Sequence, residues 1–199
     1  VQPRAQRLRS VDQWERIAAL AAETPGVLAV SPVVSGPVFV ARGNSNKSVV
    51  IMGVQPDHYR RVVNMDGYMT QGRFDVSGVN TLIGIELAKD LGVTLGDKLR
   101  VTSATGRAET LDIGGLFDMG NRDLNRRWVF VTLKLGQTLL DLSGGVSNID
   151  LTVKDLFGAN AVADGLRART GLSVDSWMQT NSGLLNALSN QSVSNNLIR

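Results

Sequence analysis

The sequence predicts an α+β protein in which a discontinuous βαβ-type unit encloses a mostly-β insert. Three observations carry this prediction. Helix, glycine and strand follow one another over Ser10–Ser31, and strand, helix, glycine and strand follow over Val146–Trp177. Between them, short apolar strands alternate with tight turns. The expected division is therefore residues 1–55 and 146–178 for the flanking unit and 56–145 for the insert, with 179–199 forming a terminal helix. An insert of roughly ninety residues is an ordinary domain size. The likeness of the two halves lies in element order.

The first helix is signalled by Ser10 and Gln13, a capping-box pair in which each side chain satisfies an orphan backbone N–H. Trp14, Ile17, Ala18 and Ala21 then recur on one helical face, and Thr24-Pro25-Gly26 ends the run. Val27 to Val40 reads as strand, interrupted by Ser31, Pro32, Ser35, Gly36 and Pro37. Gly43-Asn44-Ser45-Asn46 is turn chemistry, so Ser48–Val54 returns as the second arm of a hairpin. Gln55-Pro56-Asp57-His58-Tyr59 leads into a short helix.

In the insert, Thr81–Gly84 is a short strand and Glu86–Leu91 a short helix stopped by Gly92. Val93–Asp97 turns into the strand Lys98–Ser103, Ala104–Arg107 makes a tight hairpin, and Glu109–Phe117 returns. Gly114-Gly115 inside that strand implies a bulge or a close backbone contact. Asp118–Arg127 is a polar loop, Trp128–Leu133 a strand and Lys134–Leu142 a helix. Val146–Val153 alternates as a strand with one buried face. Asp155 is placed to cap a helix with the stripe Ala159, Val162, Ala163 and Leu166, which stops at Thr170-Gly171 before the strand Leu172–Trp177. The segment Gln179–Arg199 is rich in Asn and Ser, with Leu184 and Leu188 on one helical face. Such a helix needs support from outside itself.

Composition narrows the function. The 199 residues are 43% hydrophobic and 20% charged, with a mean hydropathy of +0.00, as in an ordinary globular domain. No run approaches the ~20 apolar residues that span a bilayer. Absence of cysteine rules out disulfides, thiolate metal sites and cysteine nucleophiles. A net charge of +3 with 5% aromatic residues lacks the dense basic face and stacking rings of a nucleic-acid binder.

Chemistry-bearing patterns are few. His58 is the single histidine, which removes two-histidine metal sites and fits a surface or capping role. Neither a phosphate-binding G-x-x-x-x-G-K-[ST] loop nor a G-x-S-x-G elbow occurs. Glu86 and Asp90, four apart on one short helix, have no third ligand near them in sequence. Trp14, Trp128 and Trp177 fall on apolar faces. These patterns predict no catalytic residue, cofactor or metal. The best candidate contact site is the loop Asp118–Arg127, where Gly120 and Asn121 shape turns. There Arg122, Asp123, Arg126 and Arg127 offer charge-assisted hydrogen bonds to a partner.

The run Thr81-Leu82-Ile83-Gly84-Ile85-Glu86-Leu87-Ala88-Lys89-Asp90-Leu91-Gly92-Val93-Thr94-Leu95-Gly96-Asp97-Lys98-Leu99-Arg100-Val101 closely resembles one in MacB-like periplasmic core domains. Gly53-Val54, Gly72-Arg73-Phe74, Ile113–Phe117, Val129–Leu133 and Gln137–Leu140 match the family's order, while Val146–Asp155 and Trp177 look like the LolC/LolE branch. The resemblance, to domains of MacB/LolC/LolE/FtsX-type ABC-transporter permeases, covers about residues 25–199.

It implies a non-catalytic domain on the periplasmic side of the inner membrane, inserted between the first two of four transmembrane helices. The flanking unit would correspond to the Porter-like subdomain and the insert to the Sabre-like one. Residues 179–199 would lead as a stalk to the second transmembrane helix, and the flanking unit's missing first strand would lie next to the first. Implied partners are an ABC ATPase subunit or domain, a second permease, and a periplasmic adaptor or lipoprotein. The implied function is coupling of cytoplasmic ATP hydrolysis to export, or alternatively lipoprotein release. In one respect the chain departs from the LolC type. The hairpin Ser103–Ala108 is too short to form the Hook that captures a lipoprotein chaperone.

Overall fold

The computed structural model describes residues 11, 13–154, 159–170, 174–176 and 194–198. The expected cap residues Ser10 and Asp155, the stop Gly171, Trp177 and residues 179–193 lie outside them. The helices are α1 (Trp14–Ala22), α2 (Pro56–Val62), α3 (Ile85–Leu91), α4 (Arg122–Arg127), α5 (Leu133–Leu139) and α6 (Ala159–Thr170). The strands are β1 (Val27–Arg42), β2 (Ser45–Val54), β3 (Met69–Gly72), β4 (Asn80–Gly84), β5 (Lys98–Ser103), β6 (Ala108–Phe117), β7 (Trp128–Thr132), β8 (Asn148–Val153), β9 (Val174–Ser176) and β10 (Ser194–Ile198). The fold is α+β, as expected.

One strand organises the rest. The 16-residue β1 pairs with β8 along Val27–Val33 and with β5 along Val38–Ala41, while its other edge pairs with β2 from Val33 to Arg42. From β2 the pairing continues through β7, β4, β6 and β5 back to β1, closing a ring of six strands. Closure leaves these strands no free edge. Strand pairing therefore runs across residue 55, because β2 pairs in parallel with β7 from the middle segment.

The interruptions read in β1 mark its change of partner. Ser35-Gly36-Pro37 falls between the β8-paired and β5-paired stretches, where Pro37 displaces no ladder bond to either strand. Ser147 bridges the gap: its hydroxyl accepts from the Ser35 N–H at 3.0 Å and donates to the Ser35 carbonyl at 3.2 Å.

Alternation decides what each strand buries. Val38, Val40, Val49, Ile51, Ile83, Leu99, Val101, Leu111, Ile113, Val129 and Val131 point into the ring, joined by Leu87 and Leu91 of α3 and Leu139 of α5. The same cluster continues to Ile17 and Ala21 of α1, Ala163 and Leu166 of α6, and Ile149 and Leu151 of β8. Ile17 and Ala21 of the first predicted stripe and Ala163 and Leu166 of the second thus pack in the same core as the flanking sheet. A second cluster lies outside the ring, where Tyr59 and Val62 of α2, Phe74 and Phe117 surround Phe130.

Glycines permit two close approaches. Gly114 is the bulge residue where the β4–β6 register shifts, and Gly72 (φ +72°) lies so near that an added Cβ would sit 2.2 Å from the Gly114 carbonyl. At the base of α5, Gly53, Gly136 and Val34 meet so tightly that a Cβ on Gly136 would lie 2.8 Å from Val34 Cγ1.

Two elements differ from expectation. Asp118–Arg127 is not a loop throughout, because Arg122–Arg127 form α4. The Asn121 side chain caps it, accepting from Asp123 N at 2.9 Å and Leu124 N at 3.1 Å. Ser194–Ile198 form a strand between β8 and β9 rather than part of a helix. Asn and Ser are weak helix formers, and the free edge of β8 offers their backbone a ladder.

Candidate interaction site

The predicted contact residues sit on α4, and the sequence explains how α4 is held. Asn125 is buried at 3% exposure; its Oδ1 accepts from Met119 N at 2.8 Å and its Nδ2 donates to Asp118 Oδ1 at 2.8 Å. That carboxylate also accepts from Gly120 N at 2.9 Å. Gly84 lets the helix approach β4, since a Cβ there would lie 2.0 Å from the Asn125 carbonyl.

The four predicted residues are in one place but differ in role. Arg126, itself exposed, reaches across to α3, donating to Asp90 Oδ2 at 2.9 Å and to Glu86 Oε1 at 3.4 Å. The Glu86 and Asp90 pair is thereby explained as the anchor of α4 on α3, with Lys89 3.8 Å from Glu86. Among the described residues no group of three His, Cys, Asp or Glu could hold a metal. Arg127 pairs with Asp123 one turn back at 3.6 Å, a surface pair of small energetic value. Arg122 is exposed. The cations of α4 with no ion pair to another element among the described residues are therefore Arg122 and Arg127.

The remaining singled-out residues have structural places. His58 is exposed in the first turn of α2. The Trp14 indole donates to the Gly144 carbonyl at 2.8 Å, and the Trp128 ring packs edge-on against Phe130 at 5.9 Å. Burial, reinforced by the charge of Asp150, raises the Tyr59 pKa far above its ordinary value. A groove of about 780 Å³ opens between α1 and α5, and Arg107 of the β5–β6 turn reaches it. Sequence reasoning missed two surface features: Leu28 and Phe39 on β1 are 62% and 54% exposed although both lie in an apolar run.

The chain defines a domain of the MacB type. The family of MacB-like periplasmic core domains matches residues 1–169, and the chain belongs to that family. Among curated relatives, the lipoprotein-releasing system transmembrane protein LolC of Xylella fastidiosa (strain Temecula1) is 26% identical over 189 residues, covering 88% of this chain and 45% of its own length. LolC of Neisseria meningitidis serogroup B is 23% identical over 190 residues, covering 88% and 46%. The chain thus spans about half the length of these relatives.

Two solved structures share the fold. The periplasmic region of MacB from Actinobacillus actinomycetemcomitans has a TM-score of 0.59 at 13% identity, covering 86% of this chain and 80% of that one. The extracellular domain of the noncanonic ABC-type transporter YknZ from Gram-positive bacteria has a TM-score of 0.59 at 16% identity, covering 79% and 83%. Among the described residues no helix is long and apolar enough to cross a membrane.

Proposed function

We propose that this domain is the non-catalytic, extracytoplasmic part of an ABC-transporter permease and couples cytoplasmic ATP hydrolysis to export. The observation that carries this reading is β1, one uninterrupted strand paired to the flanking sheet at one end and built into the ring at the other. A displacement of the flanking unit next to the membrane is delivered to the ring without a flexible joint. In this reading the flanking sheet, with β8 and the first half of β1, is the Porter-like unit, and the ring, which takes in β2 and the second half of β1 with the strands of 56–145, is the Sabre-like unit. The working partners are an ATPase, a second permease and an extracytoplasmic adaptor that meets Arg122 and Arg127.

The test is a charge reversal of Arg122 and Arg127 to Glu in the full-length transporter, leaving Arg126 in its internal ion pairs. Export should fall while ATP hydrolysis persists. The isolated domain should keep its stability within about 0.5 kcal/mol, as exposed substitutions do. Unchanged export at normal expression removes the site.

The similarity to LolC supports a second reading, release of lipoproteins from the membrane. The β5–β6 hairpin turns at Thr105-Gly106 and leaves no room for a chaperone-capturing Hook. Retention of lipoproteins in the inner membrane after deletion of the gene selects this reading over general export.

A further inference from the structure

We propose that the groove between α1 and α5 binds a small zwitterion whose ammonium and anionic ends stand about 10 Å apart, the span of an extended tripeptide. The site lies away from α4, and the inference does not depend on the transport reading above. The groove holds about 780 Å³, an ordinary size for a small-molecule site. Trp14 and Glu15 of α1 form one wall, and Lys134, Thr138 and Asp141 line the other. Between them lie Val54 and Leu133, both buried.

Asp141 is the residue that points to a ligand. Two backbone bonds close the end of α5, from Leu142 N to the Gln137 carbonyl at 2.9 Å and from Asp141 N to the Thr138 carbonyl at 3.3 Å. They put Asp141 at the left-handed position, φ +56°, that glycine or asparagine ordinarily fills. Its carboxylate also sits at the negative end of the helix, where a cation is favoured. The side chain has neither an ion pair nor a hydrogen bond among the described residues. Folding gains nothing from this carboxylate, and a ligand's cation would. Gln13, next to Trp14, is the other non-glycine residue with positive φ among the described residues, at +53°. Strained backbone is thus gathered around the bond from the Trp14 indole to the Gly144 carbonyl.

The charges divide along the groove. Lys134 and Asp141 are seven residues apart, two turns along one face, so about 10 Å separates them along the axis. Glu15 follows Trp14, whose indole is bonded to the chain just past Asp141, so the two carboxylates and the indole share one end. Lys134 marks the other end, and Arg107 adds a second cation to the lining. None of these four charged side chains has an ion pair among the described residues. A ligand's ammonium is received by Asp141, Glu15 and the indole, and its anion by Lys134. A simple cation or a simple anion would leave one pair unanswered. A second copy of the chain is a poor occupant, because a two-fold contact would set groove against groove. Leu28, Phe39, Val79 and Leu95, the large apolar side chains most exposed among the described residues, do not line it.

The experiment titrates trialanine into the chain and follows by NMR the indole N–H signal that Trp14→Phe removes. A saturable shift with a Kd on the order of 1 mM is expected. Acetylating the amine or amidating the carboxylate should weaken binding about tenfold, and glycine, whose two charges are adjacent, should not bind. Asp141→Asn should weaken trialanine about tenfold. The same variant should lower the unfolding constant about twofold to fivefold, since asparagine keeps the left-handed conformation and removes the charge from the helix end. A purely structural carboxylate would not lose binding while the fold gains stability. Absence of a saturable shift overturns the proposal. So does equal binding by glycine or by the blocked peptides, and so does unchanged affinity in Asp141→Asn. A Trp14 shift that follows protein concentration instead of trialanine gives the groove to a second copy and overturns it as well. Each of these outcomes leaves Arg122 and Arg127 untouched, so the transport reading stands or falls by its own test.

Discussion

Replacing Asn125 by Ala tests how α4 is held. The side chain supplies the acceptor for Met119 N, in a residue 5% exposed, and a donor to Asp118. Losing the first leaves a buried N–H without an acceptor and costs about 1–3 kcal/mol. The second loss is smaller, about 1 kcal/mol, because Asp118 keeps the Gly120 N–H. The sum, about 2–4 kcal/mol, lowers the melting temperature of a chain this size by roughly 5–15 °C. Urea unfolding of the purified domain followed by circular dichroism reads the change directly.

Asn125→Asp sharpens the test. Aspartate retains the acceptor for Met119 N but sets a carboxylate against Asp118, which raises the folded pKa of one of the two above its unfolded value. A group shifted upward loses stability as pH rises through its folded pKa, so this variant should recover towards wild type as pH falls from about 7 to about 4. A loss below about 1 kcal/mol for Asn125→Ala, or no pH dependence for Asn125→Asp, would refute the clamp.

Two further outcomes follow from packing and burial. Gly136→Ala should cost about 1–3 kcal/mol by overpacking against Val34, and Val34→Ala in the same molecule should recover part of it; a double-mutant cycle with no coupling would show that the contact is slack. Tyr59 has a folded pKa raised from an unfolded value near 10, so its contribution is intact below that pH. Above it, stability should fall by about 1.4 kcal/mol per pH unit, a fall that Tyr59→Phe abolishes in an alkaline denaturation series.

Local signals were legible in the sequence. The stripe Trp14, Ile17, Ala18 and Ala21 marks α1, the glycine after Leu91 takes the left-handed stop at φ +67°, and Gly114 is the bulge its position implied. Each depends on neighbours within a few residues. The candidate site was legible in residue type and only partly in role. Arg126, Glu86 and Asp90 were each visible as charges, but their ion pairs join residues 36 and 40 apart. The helix α4 was hidden because six residues with Asn121 as cap resemble a polar turn until Asn125 is buried against Gly84.

Ring closure was the least legible feature, for a physical reason. A two-residue period states which side of a strand is buried and is silent on which strand lies at each edge. Ser35-Gly36-Pro37 reads as an interruption in a strand, and the interruption is the point where one backbone leaves β8 and joins β5. The exposure of Phe39 has the same origin. Once β1 is a wall of a ring, alternate residues of an apolar run must face outward, and only those under α2 and Phe74 find cover. Phe39 lies beyond that cover, so its exposure follows from the topology that the periodicity left open.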